Sequence, residues 1–323
     1  MSATNTTPEA SAAALLPVLR FLQTYAVAVM IAALIVLLTI LSDSFLTLQN
    51  LINILNQNAP LAIMASAMTL VIICGGFDLS VGAIFAVGGV VAAALALQVH
   101  PVAGLIAAPL VGMALGFVNG LTITALKIHS FLATLATGLV YRGIAILITG
   151  GTLIPVRLDA FTWLGRERIG PVYVAVLVLI AFAVILTVVL NRTTLGRKMF
   201  AVGGNEEASI LSGIRTRRIK IIAFSINGFA AGLAAAIAVS RISLGQATAG
   251  TGMELEAIAA VIIGGTSIYG GQGAVWRSVA GVFMLALVNN GFNILNADPF
   301  YKDLTTGLII VAAVAISASG RRK

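Results

Sequence analysis

The sequence is poor in the residue types that carry chemistry. Its one cysteine, Cys74, excludes an internal disulfide, and the two histidines, His100 and His129, cannot build a metal cluster with it. Charge is equally scarce: 9% of the 323 residues are Asp, Glu, Lys or Arg, against 59% hydrophobic. No GxxxxGK[ST] phosphate loop, carboxylate pair or Ser-His-Asp set occurs. These absences argue against an enzyme and against any metal or cofactor held by the chain. The first sixteen residues, MSATNTTPEASAAALL, have no basic stretch ahead of an apolar core, so a cleaved signal peptide is not expected. Residues 1–18 read as a disordered tail.

What the chain has in abundance is apolar length. Twenty apolar residues at 1.5 Å rise cover about 30 Å, the thickness of a bilayer core. Ten such segments lie near 21–42, 59–74, 79–99, 102–126, 131–151, 171–190, 221–240, 257–273, 278–297 and 304–320. The expected fold is an all-α polytopic membrane protein of about ten transmembrane helices. Eight stays open, because the second, eighth and tenth segments are short or broken by glycine. Residues 19–320 form the membrane domain, with a polar loop at 191–220, and residues 321–323 a basic C-terminus. A net charge of +8 would point to nucleic acid in a soluble protein. Here the basic residues sit in loops, where they set topology, so the partner is the lipid bilayer and nucleic acid is not expected. With ten spans, one side collects Arg20, Lys127, Arg192, Arg197, Lys198, Arg215, Arg217, Arg218, Lys220, Arg277, Arg321, Arg322 and Lys323, thirteen of nineteen Lys and Arg residues. The excess of positive charge marks that side, with both termini, as cytoplasmic.

The polar loop from Asn191 to Lys220 interrupts two charge-free runs, Pro171 to Leu190 and Ile221 to Ser240. Within it, Asn205 is a good helix N-cap, Glu206 and Glu207 oppose the positive end of the helix dipole, and Gly213 suits a left-handed stop. A two-turn helix over 206–212 follows, about 10 Å long. A helix that short is unstable alone in water, so it needs packing, on its own protein or in a partner's groove.

The run Gly196 to Lys220, centred on AVGGNEEASILSGI, resembles the permeases of ATP-binding-cassette sugar importers of the ribose/xylose/galactose branch. Glu207-Ala208-Ser209 with Gly213 is similar to the wider importer EAA-xxx-G motif, with Ser209 in place of its second alanine. The likeness continues through Gly75-Gly76-Phe77-Asp78-Leu79-Ser80-Val81-Gly82, Thr248 to Ala260, Gly264-Gly265-Thr266-Ser267 and Leu287-Val288-Asn289-Asn290-Gly291. The resemblance implies a permease domain in a bacterial inner membrane and a coupling helix that includes Asn205, Glu206, Glu207, Ala208, Ser209, Leu211 and Gly213. It also implies cytoplasmic ATP-binding-cassette ATPase subunits that hydrolyse the ATP, a periplasmic sugar-binding protein, and a second permease, as a homodimer or with a sister chain.

Polar residues inside the apolar segments are candidates for a translocation path. Asp78 follows two glycines and precedes Ser80, a pattern that breaks a helix at membrane depth, where a carboxylate is functional by default. The bland alternative is a cytoplasmic turn with Asp78 capping the next helix. Asn50, Asn53 and Gln57 share one helical face, and so do Asn289, Asn293 and Asn296. Both stripes are expected at the outer mouth, where neutral amides suit an uncharged polyol; interhelical hydrogen bonding is the competing account. Gly104, Ala108, Gly112, Gly116 and Gly120 repeat every four residues, a face for close helix packing or for the dimer. Arg142 either faces protein or water, or snorkels to the outer surface. Glu254 and Glu256 read as solvated loop charges, as a partner for Arg241, or as contacts for the binding protein. Val71 to Gly76 is echoed by Val261 to Gly265, as in repeat-related broken helices. Together these readings predict the membrane subunit of an ATP-driven monosaccharide importer, with ribose-like pentoses leading. An autonomous secondary transporter or facilitator of a small polyol is the alternative.

Overall fold

The computed structural model describes residues 27–298, together with Tyr301, Leu304, Thr305, Gly307, Leu308, Ile309 and Val311. The tail at 1–18, Arg20, Lys302, the C-terminus at 321–323 and most of the segment at 304–320 lie outside the described residues. The helices are α1 (Val27–Leu41), α2 (Leu48–Ile73), α3 (Val81–Gln98), α4 (Pro101–Leu126), α5 (Ser130–Thr149), α6 (Asp159–Arg166) and α7 (Val174–Arg192). After them come α8 (Thr194–Gly204), α9 (Glu206–Leu211), α10 (Thr216–Ile242), α11 (Met253–Ile263) and α12 (Val275–Ile294). Among the described residues six helices are long and apolar enough to cross a membrane: α2, α3, α4, α5, α7 and α10. Two short antiparallel pairings, β1 (Ile154–Pro155) with β4 (Leu244–Gly245) and β2 (Arg168–Ile169) with β3 (Val172–Tyr173), tie the loops at the end opposite α9.

Helix α2 runs through the middle of the bundle, and most of its side chains from Ala59 to Ile73 are fully buried. Pro60 lies inside it and has no N–H to give the carbonyl four residues back, that of Asn56. Arg241, in the last turn of α10, donates to that carbonyl at 3.0 Å. A helix break that would otherwise strand a buried acceptor is thereby satisfied from a neighbouring helix.

The four-residue stripe on α4 packs within the protomer. A Cβ placed on Gly112 would stand 2.2 Å from the carbonyl oxygen of Gly228, and one on Gly116 the same distance from that of Phe224. Gly228 and Gly232 answer from α10, with Gly112 and Ala108 carbonyls at 2.1 and 2.2 Å. Backbones can approach this closely only where side chains are absent, which is how apolar helices gain attraction when lipid offers no hydrophobic drive.

Two helices end in the same kind of turn. Helix α2 ends in a Schellman turn: Gly75, at φ +77°, donates to Ile72 and Gly76 donates to Val71. Helix α11 ends identically, with Gly265, at φ +83°, donating to Ile262 and Thr266 donating to Val261. The sequence echo is thus one cap used twice. Ahead of α11 the chain runs without helix from Gly245, beside Ala93, to Gly250, whose carbonyl abuts Gly82 at the start of α3. Arg142 serves this stretch: its Nη1 donates to the carbonyls of Ala247 and Ala249 at 2.6 and 2.7 Å. Its partners are protein, and the irregular backbone has the donors it needs.

Candidate functional site

Three polar assemblies stand out in this apolar molecule. The first is α9. The Oδ1 of Asn205 accepts from the Ala208 N–H at 2.9 Å, and Glu206 and Glu207 occupy the first turn. Gly213, at φ +79°, donates to Ile210 while Ile214 donates to Ser209, so a third Schellman turn of the α2 kind closes the helix after Leu211. Ser209 is buried beneath it, and Glu206 meets Lys220 of α10 at 2.6 Å. Glu207 and Ala208 are exposed, Ile210 is 56% exposed and Leu211 89%. A helix of six residues held at both ends therefore presents two aliphatic side chains outward.

The second assembly is a cavity of about 830 Å³ at the opposite end of the bundle. Asn53, Asn56 and Gln57 of α2 face Asn289, Asn290 and Asn293 of α12 across it. Arg166, Arg168, Tyr173, Arg241 and Glu256 complete the rim. The carboxamide oxygens of Asn56 and Asn289 are buried without a protein donor. Of the two sequence stripes, Asn53, Gln57, Asn289 and Asn293 reach this cavity. Asn50 instead exchanges two hydrogen bonds with Asn290, at 3.2 and 2.9 Å, clamping α2 to α12. Asn296 sits past α12 in a left-handed turn, at φ +50°. Arg166, Arg168 and Tyr173 carry no sequence signal, and Arg241 is marked only as a partner for Glu254 or Glu256, because they come from segments remote from α2 and α12 along the chain. Arg166 donates to the Arg241 carbonyl at 2.6 Å, and Arg168 lies 4.2 Å above the Tyr173 ring. Glu254 is turned from the cavity toward Gly82 and its own backbone at Gly252.

The third is a closed network around Asp78, which is completely buried between α2 and α3. Tyr141 donates to Asn119 at 2.9 Å, Asn119 to Ser80 at 2.6 Å, and Ser80 to Asp78 at 2.6 Å. Asn227 donates to the other carboxylate oxygen at 2.9 Å. Asn227 stands six residues beyond Ile221, where α10 turns apolar, so the carboxylate is about 9 Å inside that boundary. Asp78 thus belongs to the turn between α2 and α3 and lies level with the apolar part of α10. It accepts the Ser80 N–H at 3.0 Å, and neither Asp78 nor Ser80 is among the residues that line the cavity. Its own donors are Ser80, at the start of α3, and Asn227 of α10, and the relay through Asn119 and Tyr141 links α4 and α5 to them.

A family profile described as "Branched-chain amino acid transport system / permease component" matches residues 50–314. Curated relatives run the length of the chain. The ribose import permease protein RbsC of Escherichia coli K12 is 41% identical over 290 residues, 88% of this chain and 90% of that protein. RbsC of Bacillus subtilis 168 is 40% identical over 88% of this chain and 89% of that protein. The D-allose transport system permease protein AlsC of Escherichia coli K12 is 36% identical, covering 85% of each. No solved structure matches the chain. With most of its length under one family profile, the chain belongs to the family of transport-system permease components, and is a multi-pass membrane protein.

Proposed function

We propose that this chain is the membrane-spanning subunit of an ATP-driven importer of a monosaccharide, with ribose first among the candidate substrates. The relatives at 40% and 41% identity are ribose permeases. The broader family description names amino acids, but the amide-lined cavity favours a neutral, many-hydroxyl ligand, and it is the observation that carries the substrate class. Asn and Gln both donate and accept, as sugar hydroxyls do. The volume falls in the range of small-molecule sites, roughly 300–1,000 Å³.

In this reading about ten spans cross the inner membrane, with the α9 end and both termini in the cytoplasm. A periplasmic binding protein releases sugar at the cavity, and the permease pairs with a second copy or a sister chain. Helix α9, with Asn205 as cap and Leu211 outward, docks in a cytoplasmic cassette ATPase, which hydrolyses the ATP. Asn53, Gln57, Asn289 and Asn293 line the path, while Asp78 and Ser80 fix the broken crossing beside it and Asn50 and Asn296 frame its mouth.

The test is uptake of labelled ribose, allose and arabinose by cells that carry the permease, its binding protein and its ATPase. Ribose uptake should vanish when the ATPase is inactivated, with the proton gradient intact. Gly213→Leu, or Glu207→Lys, should abolish ATPase association while the permease still inserts. Uptake that persists without the ATPase would make the chain a secondary transporter.

A further inference from the structure

Beside α9 lies a groove of about 380 Å³, bordered at one edge by Gly213 of the α9 cap and outside the sugar path. One wall is Arg215, the cap residue ahead of α10, with Arg218, Ile219 and Ile222 on the face of α10 below it. The other wall is Leu195 and Lys198 of α8. Three cations therefore converge on a surface whose floor is aliphatic. Among the described residues, no ion pair or hydrogen bond engages the side chains of Lys198, Arg215 or Arg218; the one ion pair formed is Lys220 with Glu206. The first turns of α8 and α10, which both open on the groove, hold no acidic residue.

The groove is also graded along its length. From Arg215 to Ile222 the α10 wall passes from charge to hydrocarbon in about 10 Å. Ile222 is 37% exposed, just past the point where α10 becomes apolar, and α8 begins at Thr194, two residues after apolar α7 ends. Apolar α10 thus meets the groove at its polar boundary, and α8 follows directly on the end of apolar α7. That is the level of lipid headgroups, inward of the exposed tip of α9.

We propose that this groove binds an anionic phospholipid of the same leaflet, with the phosphate held by Lys198, Arg215 and Arg218 and an acyl chain along Leu195, Ile219 and Ile222. Basic pockets at the cytoplasmic ends of membrane helices select phosphate-bearing headgroups, and an aliphatic floor below the charges favours a lipid over a free anion. The inference rests on the chain spanning a membrane and not on the substrate it carries.

The experiment is native mass spectrometry of the full-length permease, purified in mild detergent and exchanged into mixtures of phosphatidylglycerol and phosphatidylcholine. Phosphatidylglycerol should be retained preferentially, and the triple variant K198Q/R215Q/R218Q should lower that retention at least ~10-fold. The control R192Q/R197Q/R217Q removes as many charges from the same loop but none from the groove, and should retain the lipid. The single change Arg218→Gln should weaken retention and Arg218→Lys should restore most of it, which covers a triple variant that fails to fold. Equal loss in groove and control variants would mean diffuse attraction and would overturn the proposal. Displacement by millimolar inorganic phosphate would assign a free anion instead. Groove variants that keep the lipid but lose the ATPase would assign a protein contact.

Discussion

Asn50 and Asn53 lie one turn apart on α2, yet their side chains meet different company. Asn50 is spent on Asn290, two reciprocal bonds that hold α2 against α12, while Asn53 opens onto the cavity. Substitution should separate these roles. Asn289→Leu with Asn293→Leu removes amides of the cavity wall that are proposed to meet the ligand, and should cut sugar uptake about tenfold or more at unchanged membrane abundance. Asn50→Leu strands the Asn290 amide and should lower stability by about 1–3 kcal/mol, read as a fall in the melting temperature of the purified protein. Uptake unaffected by the double change would remove those amides from the path. At Asp78 the stakes are higher, because the carboxylate accepts from the Ser80 N–H, the Ser80 hydroxyl and Asn227 in a completely buried site. Asp78→Ala should cost on the order of 3 kcal/mol or more, whereas Tyr141→Phe, at the far end of the chain of donors, should cost about 1 kcal/mol. Equal effects in thermal unfolding would mean that the network does not converge on the carboxylate.

At the scale of elements, α4 and α10 are held by absence of side chains more than by their presence. Gly112→Leu would drive its side chain into the Gly228 carbonyl, 2.2 Å from the new Cβ, so folded yield should collapse. Gly143→Leu on α5, where a Cβ meets nothing within 4 Å, is the matched control and should be tolerated. Comparable yields would contradict backbone-to-backbone packing of α4 on α10. The packing stripe on α4 was legible from its period of four, but its partner was not, since periodicity names a face and never what covers it. Helix α9 was legible at both ends, because Asn205 and Gly213 act through local backbone geometry that needs no tertiary context. The same holds for the paired glycines after Ile73 and Ile263, where identical caps follow from similar sequence. What escaped the sequence was the rest of the cavity rim. Arg168 and Tyr173 meet through the local β2–β3 pairing, but Arg166 reaches Arg241 only through α6 packing on α10, a contact between segments 75 residues apart. The role of Arg241 at the Asn56 carbonyl was hidden likewise, because Pro60 marks a missing hydrogen bond without saying what replaces it.

The whole molecule has two unlike ends, and its proposed function depends on which faces the cytoplasm. The α9 end carries the basic loop of residues 191–220 and the outward Leu211; the other carries the amide cavity and the α6 turn, with Trp163 54% exposed. Charge bias puts the α9 end inside, because moving so many Lys and Arg residues across the membrane during insertion is disfavoured. The single, buried cysteine makes this directly testable. In a Cys74→Ala background, Leu211→Cys should react with a membrane-impermeant maleimide in inside-out vesicles and stay unlabelled in intact spheroplasts. Trp163→Cys should show the reverse. Cys74→Ala itself removes one small side chain from a packed site and should leave uptake near normal, so labelled variants can be checked for transport. If Leu211→Cys is labelled from outside, α9 cannot reach a cytoplasmic ATPase, and the importer reading fails along with the orientation. If both sites are labelled from the same side, α7, the one candidate span between Trp163 and Leu211, does not traverse the membrane, and the helices around it must be counted again.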